Sequence, residues 1–286
     1  MKNKAQEQGI PASHYTKDYY FSGEYYGSAN EYKLFTKGGK PAAVYLRALS
    51  YLQNNSSGKY LDVGCGKGEL VIHLARLGRP AIGIDYSESA IEICQDSLTK
   101  EKVSVRKLAQ FKLANVTNLP FKDETFDAIF MLDVIEHLTK QETERALSEL
   151  KRVLKKNGRI IVHTNNKFFE RGTKLFITAS YHGPKAFLHP KKYLLQPSHP
   201  DHPYEYMHIN YITPTWLARY LRKHGFQTKT EYVKPNKKSE LQNYVDFLER
   251  DRWKKLVYYN IVWAILNSPL LLFFSPTFWL AGTKTK

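Results

Sequence analysis

Lys59-Tyr60-Leu61-Asp62-Val63-Gly64-Cys65-Gly66-Lys67-Gly68-Glu69-Leu70 decides how this chain folds. Leu61 and Val63 are strand formers in a short apolar run. Gly64, Gly66 and Gly68 follow at once, and glycine there permits positive φ and a close ligand approach to the backbone. Leu70, Val71, Leu74 and Leu77 then recur at helical spacing, so strand, turn and helix are predicted in that order. The helix N-terminus would face whatever the loop holds.

Working outward, Ala81-Ile82-Gly83-Ile84 is a second apolar run that ends in Asp85. That is close to the ~20-residue interval at which an acid reaches a ribose diol in nucleotide-binding βαβ units. Asp62 sits inside the first strand, where an acid has to be accounted for. An ordinary tight turn with a capping Asp would explain either feature alone, but not the coincidence of strand, glycines and second acid. The second acid fits a ribose. The first would pair with an ammonium group or with loop amides, which a pyrophosphate does not require.

Leu61 to Gly68 resembles the first motif of class I S-adenosylmethionine-dependent methyltransferases, and Gly83-Ile84-Asp85-Tyr86-Ser87 resembles their second. The resemblance continues through Phe126 to Phe130 and Gly158 to Val162, and covers roughly residues 58–235. It implies a Rossmann-like, doubly wound α/β fold. The sheet would have seven strands, mostly parallel, with an antiparallel last strand and insertions. It implies S-adenosylmethionine as cofactor, held by Asp62, Gly64, Cys65, Gly66, Asp85, Tyr86, Asn115, Val116 and Asp133. Family members often carry Asp where Asn115 stands. Asn can accept the same hydrogen bond from an adenine amine, though more weakly.

The chain carries 43 Lys plus Arg against 27 Asp plus Glu, a formal charge of +16. That balance points to an anionic partner: a lipid surface, a nucleic acid or a phosphorylated substrate. Two cysteines, Cys65 and Cys94, exclude a disulfide framework and fit a reducing compartment. Met1 to Gly9 is polar and offers no apolar signal core. The expectation is therefore a cytoplasmic protein, peripheral on a membrane.

Three regions follow. Residues 1–57 form an aromatic arm and helix, with Tyr15, Tyr19, Tyr20, Phe21, Tyr25, Tyr26, Tyr32 and Phe35 crowded together. The arm either packs on the surface or covers the cofactor, where aromatic faces suit a sulfonium. Residues 58–235 and 276–286 form the cofactor domain, with Thr277 to Thr283 as its last strand. Residues 236–275 are an insertion. Its apolar positions Leu241, Tyr244, Val245 and Leu248 are followed by the basic cluster Arg250, Arg252, Lys254 and Lys255. An uncharged run from Leu256 then contains Pro269 and Pro276, which disfavour a continuous membrane span and favour an in-plane anchor. Within 167–203, Lys167, Arg171, Lys174, Lys185, Lys191 and Lys192 make a basic stretch that faces either substrate or solvent.

Asp133, Glu136 and His137 stand at i, i+3 and i+4 after the fourth strand, on one face if that turn is helical. Carboxylates with an imidazole suit Mg²⁺ or Zn²⁺. The spacing resembles the metal motif of ubiquinone-type O-methyltransferases, with Asp133 in place of Glu. It also resembles that of the small-RNA 3′-terminal 2′-O-methyltransferases, whose extra histidine corresponds to His202 in His199-Pro200-Asp201-His202-Pro203-Tyr204-Glu205-Tyr206. Glu-His-Leu after this strand also occurs in metal-free members. His137, Glu136 and His163 are the candidate catalytic residues. The function read from these features is O-methylation of a small-molecule, quinone, lipid or lipid-linked glycan acceptor at an anionic membrane surface. The alternatives are an RNA 2′-O-methyltransferase with a divalent metal, and a non-catalytic cofactor-binding module.

Overall fold

A computed structural model describes residues 9–21, 29–52, 58–168, 207–232, 275 and 277–285. All but the last residue of the expected insertion at 236–275, together with His202 and the basic residues 171–192, lies outside the described residues.

The glycine-rich stretch folds as its spacing requires. Strand β1 (Tyr60–Val63) runs into the glycine turn, and α4 (Glu69–Arg76) follows. Before β1 come a 3₁₀ turn (Ala12–His14), α1 (Lys17–Phe21), α2 (Ala29–Thr36) and α3 (Ala43–Ser50). After α4 the chain alternates: β2 (Ala81–Asp85), α5 (Glu88–Thr99), α6 (Val103–Arg106) and β3 (Ala109–Leu113). Then come β4 (Phe126–Leu132), a 3₁₀ turn (Ile135–His137), α7 (Lys140–Val153) and β5 (Leu154–Asn165). Helix α8 (Pro214–Lys223), β6 (Phe226–Tyr232) and β7 (Thr277–Lys284) complete the described elements.

The seven strands form one sheet in the order β3-β2-β1-β4-β5-β7-β6. β1 to β5 pair in parallel, while β7 is antiparallel to both neighbours. The last strand therefore stands where Thr277 to Thr283 is expected, one residue longer. Alternate residues feed two cores. Tyr60, Ala128, Phe130 and Trp279 face the arm with α4 and α5, whereas Leu61, Val63, Ile129, Met131 and Phe278 face α7 and α8. Each fully buried Leu, Ile or Phe contributes about 1.5–3 kcal/mol of transfer free energy.

Helix α7 begins at Lys140, where Thr139 and Glu142 close a capping box. It stops at Val153, and β5 starts at Leu154, passing through Asn157 at φ 63°. The pairing of Phe126 with Leu154 extends the strand before the turn-like dipeptide Asn157-Gly158, with a register shift between Phe126 and Ala128 that absorbs it. The third strand starts at Ala109, set by pairing with Ala81.

Candidate active site

The parallel strands put their C-terminal ends along one edge, where open α/β sheets bind ligands. Gly64 sits there at φ 67°, and a Cβ on it would lie 2.4 Å from Val134 Cγ2. The turn after β1 thus touches the turn after β4, and only glycine fits between them. Gly66 N–H donates to Asp85 Oδ2 at 3.0 Å, and Ser87 N–H donates to Asp85 Oδ1 at 3.0 Å. Those two amides aim the Asp85 carboxylate. Burial lifts Asp85 to about 6, against the downward pull of the Ser87, Gly66 and Tyr86 amides.

A cavity of about 740 Å³, part of it open to solvent, lies above this edge. Of the expected site residues, Gly64, Gly66, Asp85, Tyr86, Asn115, Val116, Asp133 and His137 line it. Asp62, Cys65, Glu136 and His163 are not among the lining residues. Asp62 is buried beside Asp85, and burial, then that neighbour's charge, push it well above the usual carboxylate range. Cys65 turns its thiol away from the cavity, 3.9 Å from Cys94 Sγ, and its amide is spent on Ile84 O. Burial raises both thiols, so neither is a poised thiolate. Asn115 differs from expectation. Its Oδ1 already accepts from Thr117 N–H and Thr117 Oγ1, both at 2.9 Å, which uses both lone pairs. The group it can offer an adenine is its NH₂.

On the other wall, Asp133 stands at φ 51°, so it is not on a helical turn with Glu136 and His137. The 3₁₀ turn starts two residues later. The i, i+3, i+4 face expected for these three residues does not form as a unit. The Asp133 carboxylate instead accepts from His163 Nδ1, 2.9 Å to Oδ1, and His163 packs on Trp279 with ring centroids 4.5 Å apart. Glu136 is buried and accepts from Thr164 Oγ1 at 2.9 Å. Burial, then the charge of Asp133, raise it well above the ordinary range. His137 Nδ1 lies 3.1 Å from Met207 O. A carbonyl only accepts, so Nδ1 carries the proton and Nε2 keeps its lone pair.

One histidine was not legible as a site residue. His208 packs against His137 at 5.0 Å between centroids. Glu136, His137 and His208 place a carboxylate oxygen and two ring nitrogens all within 4.8 Å of one another, a donor set that fits a divalent cation. The group omits Asp133, and His202 lies outside the described residues. The only sequence signal for His208 is its place just ahead of the Thr213-Pro214 helix start.

Tyr15, Tyr19 and Tyr20 of the arm also line the cavity. Ser87 Oγ donates to Tyr15 O at 2.7 Å, and Tyr86 OH to Ile10 O at 3.1 Å. Tyr32 OH donates to Lys67 O at 3.3 Å, beneath the glycine loop. Lys67 is fully buried there, its ammonium 5.1 Å from the Tyr32 ring centroid and 3.7 Å from Glu69 Oε2. The arm is thus tied to both motifs that frame the cavity.

The chain is similar to known proteins in sequence and in fold. A protein family described as "Methyltransferase domain" matches residues 61–162. A ubiquinone biosynthesis O-methyltransferase of Pelagibacter ubique is 32% identical over 123 residues, 43% of this chain and 48% of that protein. A probable tRNA methyltransferase 9B of Homo sapiens is 30% identical over 132 residues, 44% of this chain and 26% of that protein. The chain thus spans about half the length, or less, of these curated relatives. The solved Haemonchus contortus phosphoethanolamine N-methyltransferase 2, in complex with phosphomonomethylethanolamine and S-adenosylhomocysteine, superposes with a TM-score of 0.55 at 18% identity. The match covers 85% of this chain and 52% of that one. Among the described residues, no helix is long and apolar enough to cross a membrane.

Proposed function

We propose that the chain, whose residues 61–162 match the methyltransferase-domain family, is a class I S-adenosylmethionine-dependent methyltransferase that transfers a methyl group from S-adenosylmethionine to the oxygen of a small-molecule, quinone, lipid or lipid-linked glycan acceptor at a membrane surface. The observation that carries this reading is one cavity with two unlike walls. Gly64, Gly66, Asp85 and Tyr86 make one, and Asp133, Val134 and His137 make the other. Asp85 takes the ribose diol. Asn115 and Val116 flank the adenine. The acids Asp62 and Asp133 serve the amino-acid end of the cofactor, Asp62 through the loop it lies behind.

When bound, the cofactor supplies an electrophilic methyl on sulfur. The protein's task is then to align donor and acceptor and to keep water out, and positioning of this kind is worth several orders of magnitude in rate. His137 Nε2 is free to take a hydrogen bond from an acceptor hydroxyl, because Nδ1 is committed to Met207 O. His163, behind the same wall, holds the Asp133 carboxylate by a hydrogen bond and so orients it toward the cavity.

The membrane part rests on topology. Tyr232 pairs with Phe278, and Asn165 with Thr277, so β6 ends and β7 begins at the same sheet edge as the glycine turn. The apolar and basic stretch 236–275 is therefore attached on the site's side, and an anchor there would face the cavity toward lipid. Transfer of label from methyl-labelled S-adenosylmethionine to total lipid, against total RNA, tests the reading. Label in lipid is expected. Label in RNA alone would favour the RNA 2′-O-methyltransferase alternative, and label in neither would favour a non-catalytic cofactor-binding module.

A second reading concerns metal. Glu136, His137 and His208 would hold the cation, and two imidazoles favour Zn²⁺ over Mg²⁺. The ion would polarise the acceptor oxygen. Exhaustive chelation should then abolish transfer, and Zn²⁺ add-back restore it. Transfer that ignores the chelator returns these residues to orienting the acceptor.

A further inference from the structure

Tyr15 is only 6% exposed, yet it lines the cavity with its hydroxyl buried beside Tyr86. The ring lies between the two walls of the cavity, with centroids 5.3 Å from Tyr86 and 5.8 Å from His137. Tyr19 stands edge-on to it at 5.1 Å and 81°, and Tyr20 edge-on to Tyr19 at 5.1 Å and 79°. Tyr15, Tyr19 and Tyr20 thus bring three aromatic rings to the cavity. The charges agree. The cavity is lined by Asp85, Asp133 and Glu142, and among its lining residues there is neither Lys nor Arg. Aromatic faces and carboxylates without a cation make a site for a positively charged ligand.

We propose that Tyr15, Tyr19 and Tyr20 are a charge-reading cap that holds the sulfonium of the methyl donor in preference to the neutral thioether of the spent cofactor. This rests on the cofactor reading above. Methyl transfer breaks the bond from sulfur to the methyl carbon, and the electron pair of that bond returns to sulfur. The methyl leaves for the acceptor oxygen, and the sulfur charge falls from +1 to zero. The attraction to the tyrosine faces disappears in the same step. The cap therefore tightens on donor and loosens on product. The cap is held by Ser87 Oγ to Tyr15 O, Tyr86 OH to Ile10 O and the exposed pair Lys17–Glu92, with Ile10, Tyr15 and Tyr20 packed into the core of that face. Tyr15 is the centre of the cap.

The test is calorimetry with three ligands: S-adenosylmethionine, S-adenosylhomocysteine, and sinefungin, which carries an ammonium in place of the sulfonium. In Tyr15→Leu, affinity for the two cationic ligands should fall about tenfold, equivalent to about 1.4 kcal/mol. Affinity for S-adenosylhomocysteine should stay within about twofold. Tyr15→Phe keeps the face and should keep the donor-to-product ratio. Hydrogen exchange of the amides at 10–21 should be slower with donor than with product. An equal loss for all three ligands would make the tyrosines a plain cover and overturn the proposal, as would an unchanged donor affinity. Should Tyr15→Leu fail to fold, Tyr19→Leu reads the same ratio. Wild-type protein that binds none of the three would remove the cofactor reading itself.

Discussion

The two ends of the sheet are built on different principles. In the half that carries β1, β2 and β3, the glycine turn and its acid are set by neighbours in sequence, although the arm reaches them from further away. Gly66 reaches Asp85 across 19 residues, and Asp85 reaches Ser87 across two. The half that carries β5, β7 and β6 is assembled from distant pieces. Asn166 Nδ2 donates to Ser275 O across 109 residues, Asn210 Nδ2 to Thr143 Oγ1 across 67, and His137 meets Met207 across 70. Short-range construction leaves its mark in motif spacing, whereas long-range construction does not. A cofactor common to many reactions suits the first kind of wall, and an acceptor particular to one suits the second.

The largest expected effect comes from joining the two halves too tightly. Gly64→Ala puts a Cβ 2.4 Å from Val134 Cγ2 at φ 67°. Left-handed strain and overpacking together should cost about 3 kcal/mol. Thermal unfolding should show a drop of several degrees or more, and cofactor binding should be lost. If both survive, the walls are not in contact and the comparison fails at its root.

A smaller effect should separate the halves. Asn166 is fully buried, donates to Ser275 O, and accepts from Phe168 N–H through Oδ1. It also bridges to Ile212. It gathers the chain leaving β5, the chain entering α8 and the chain entering β7. Asn166→Ala should cost about 1–3 kcal/mol by removing the buried donor to Ser275 O and the acceptor of Phe168 N–H. Acceptor turnover should fall while S-adenosylmethionine affinity stays within about twofold. Equal losses in both quantities would mean that the two halves act as one.

The same contrast explains what could be read in advance. Asp85, Gly64 and Gly66 were legible because strand, glycine turn and second acid sit at an interval fixed by βαβ geometry. The last strand was legible because Phe278 to Thr283 is an uncharged strand pattern that the sheet needs. His208, Thr164 and Asn166 were not, since their partners arrive from other parts of the chain. Asp133 lines the cavity as expected but does not share a helical face with Glu136 and His137, because the backbone there takes a left-handed turn. Cys65 belonged to the right loop, but its side chain packs behind the cavity. Asn115 Oδ1 is occupied by Thr117, a local contact whose geometry the sequence leaves open.

The smallest effect is a dependence on pH. Asp85 is raised to about 6 by burial, against about 3.9 for a free aspartate. Between those values the folded chain holds more protons than the unfolded one. Ionising Asp85 therefore opposes folding, and its contribution to stability falls as pH rises from about 4 through about 6. Asp62, raised by the same burial, adds the same sign. Binding runs the other way, because ribose hydroxyls donate best to an ionised carboxylate. Urea unfolding at pH 5 and pH 7 should show a larger stabilisation by S-adenosylmethionine at pH 7. Equal stabilisation at both would place the ribose elsewhere.

The central claim is that the cavity between the two turns holds S-adenosylmethionine with its ribose on Asp85. Calorimetry of wild-type protein and Asp85→Ala with S-adenosylmethionine tests it most directly. The account predicts one site per chain and a loss of more than about 1 kcal/mol, at least about fivefold in affinity, in the variant. Unchanged affinity in a folded Asp85→Ala protein would contradict it.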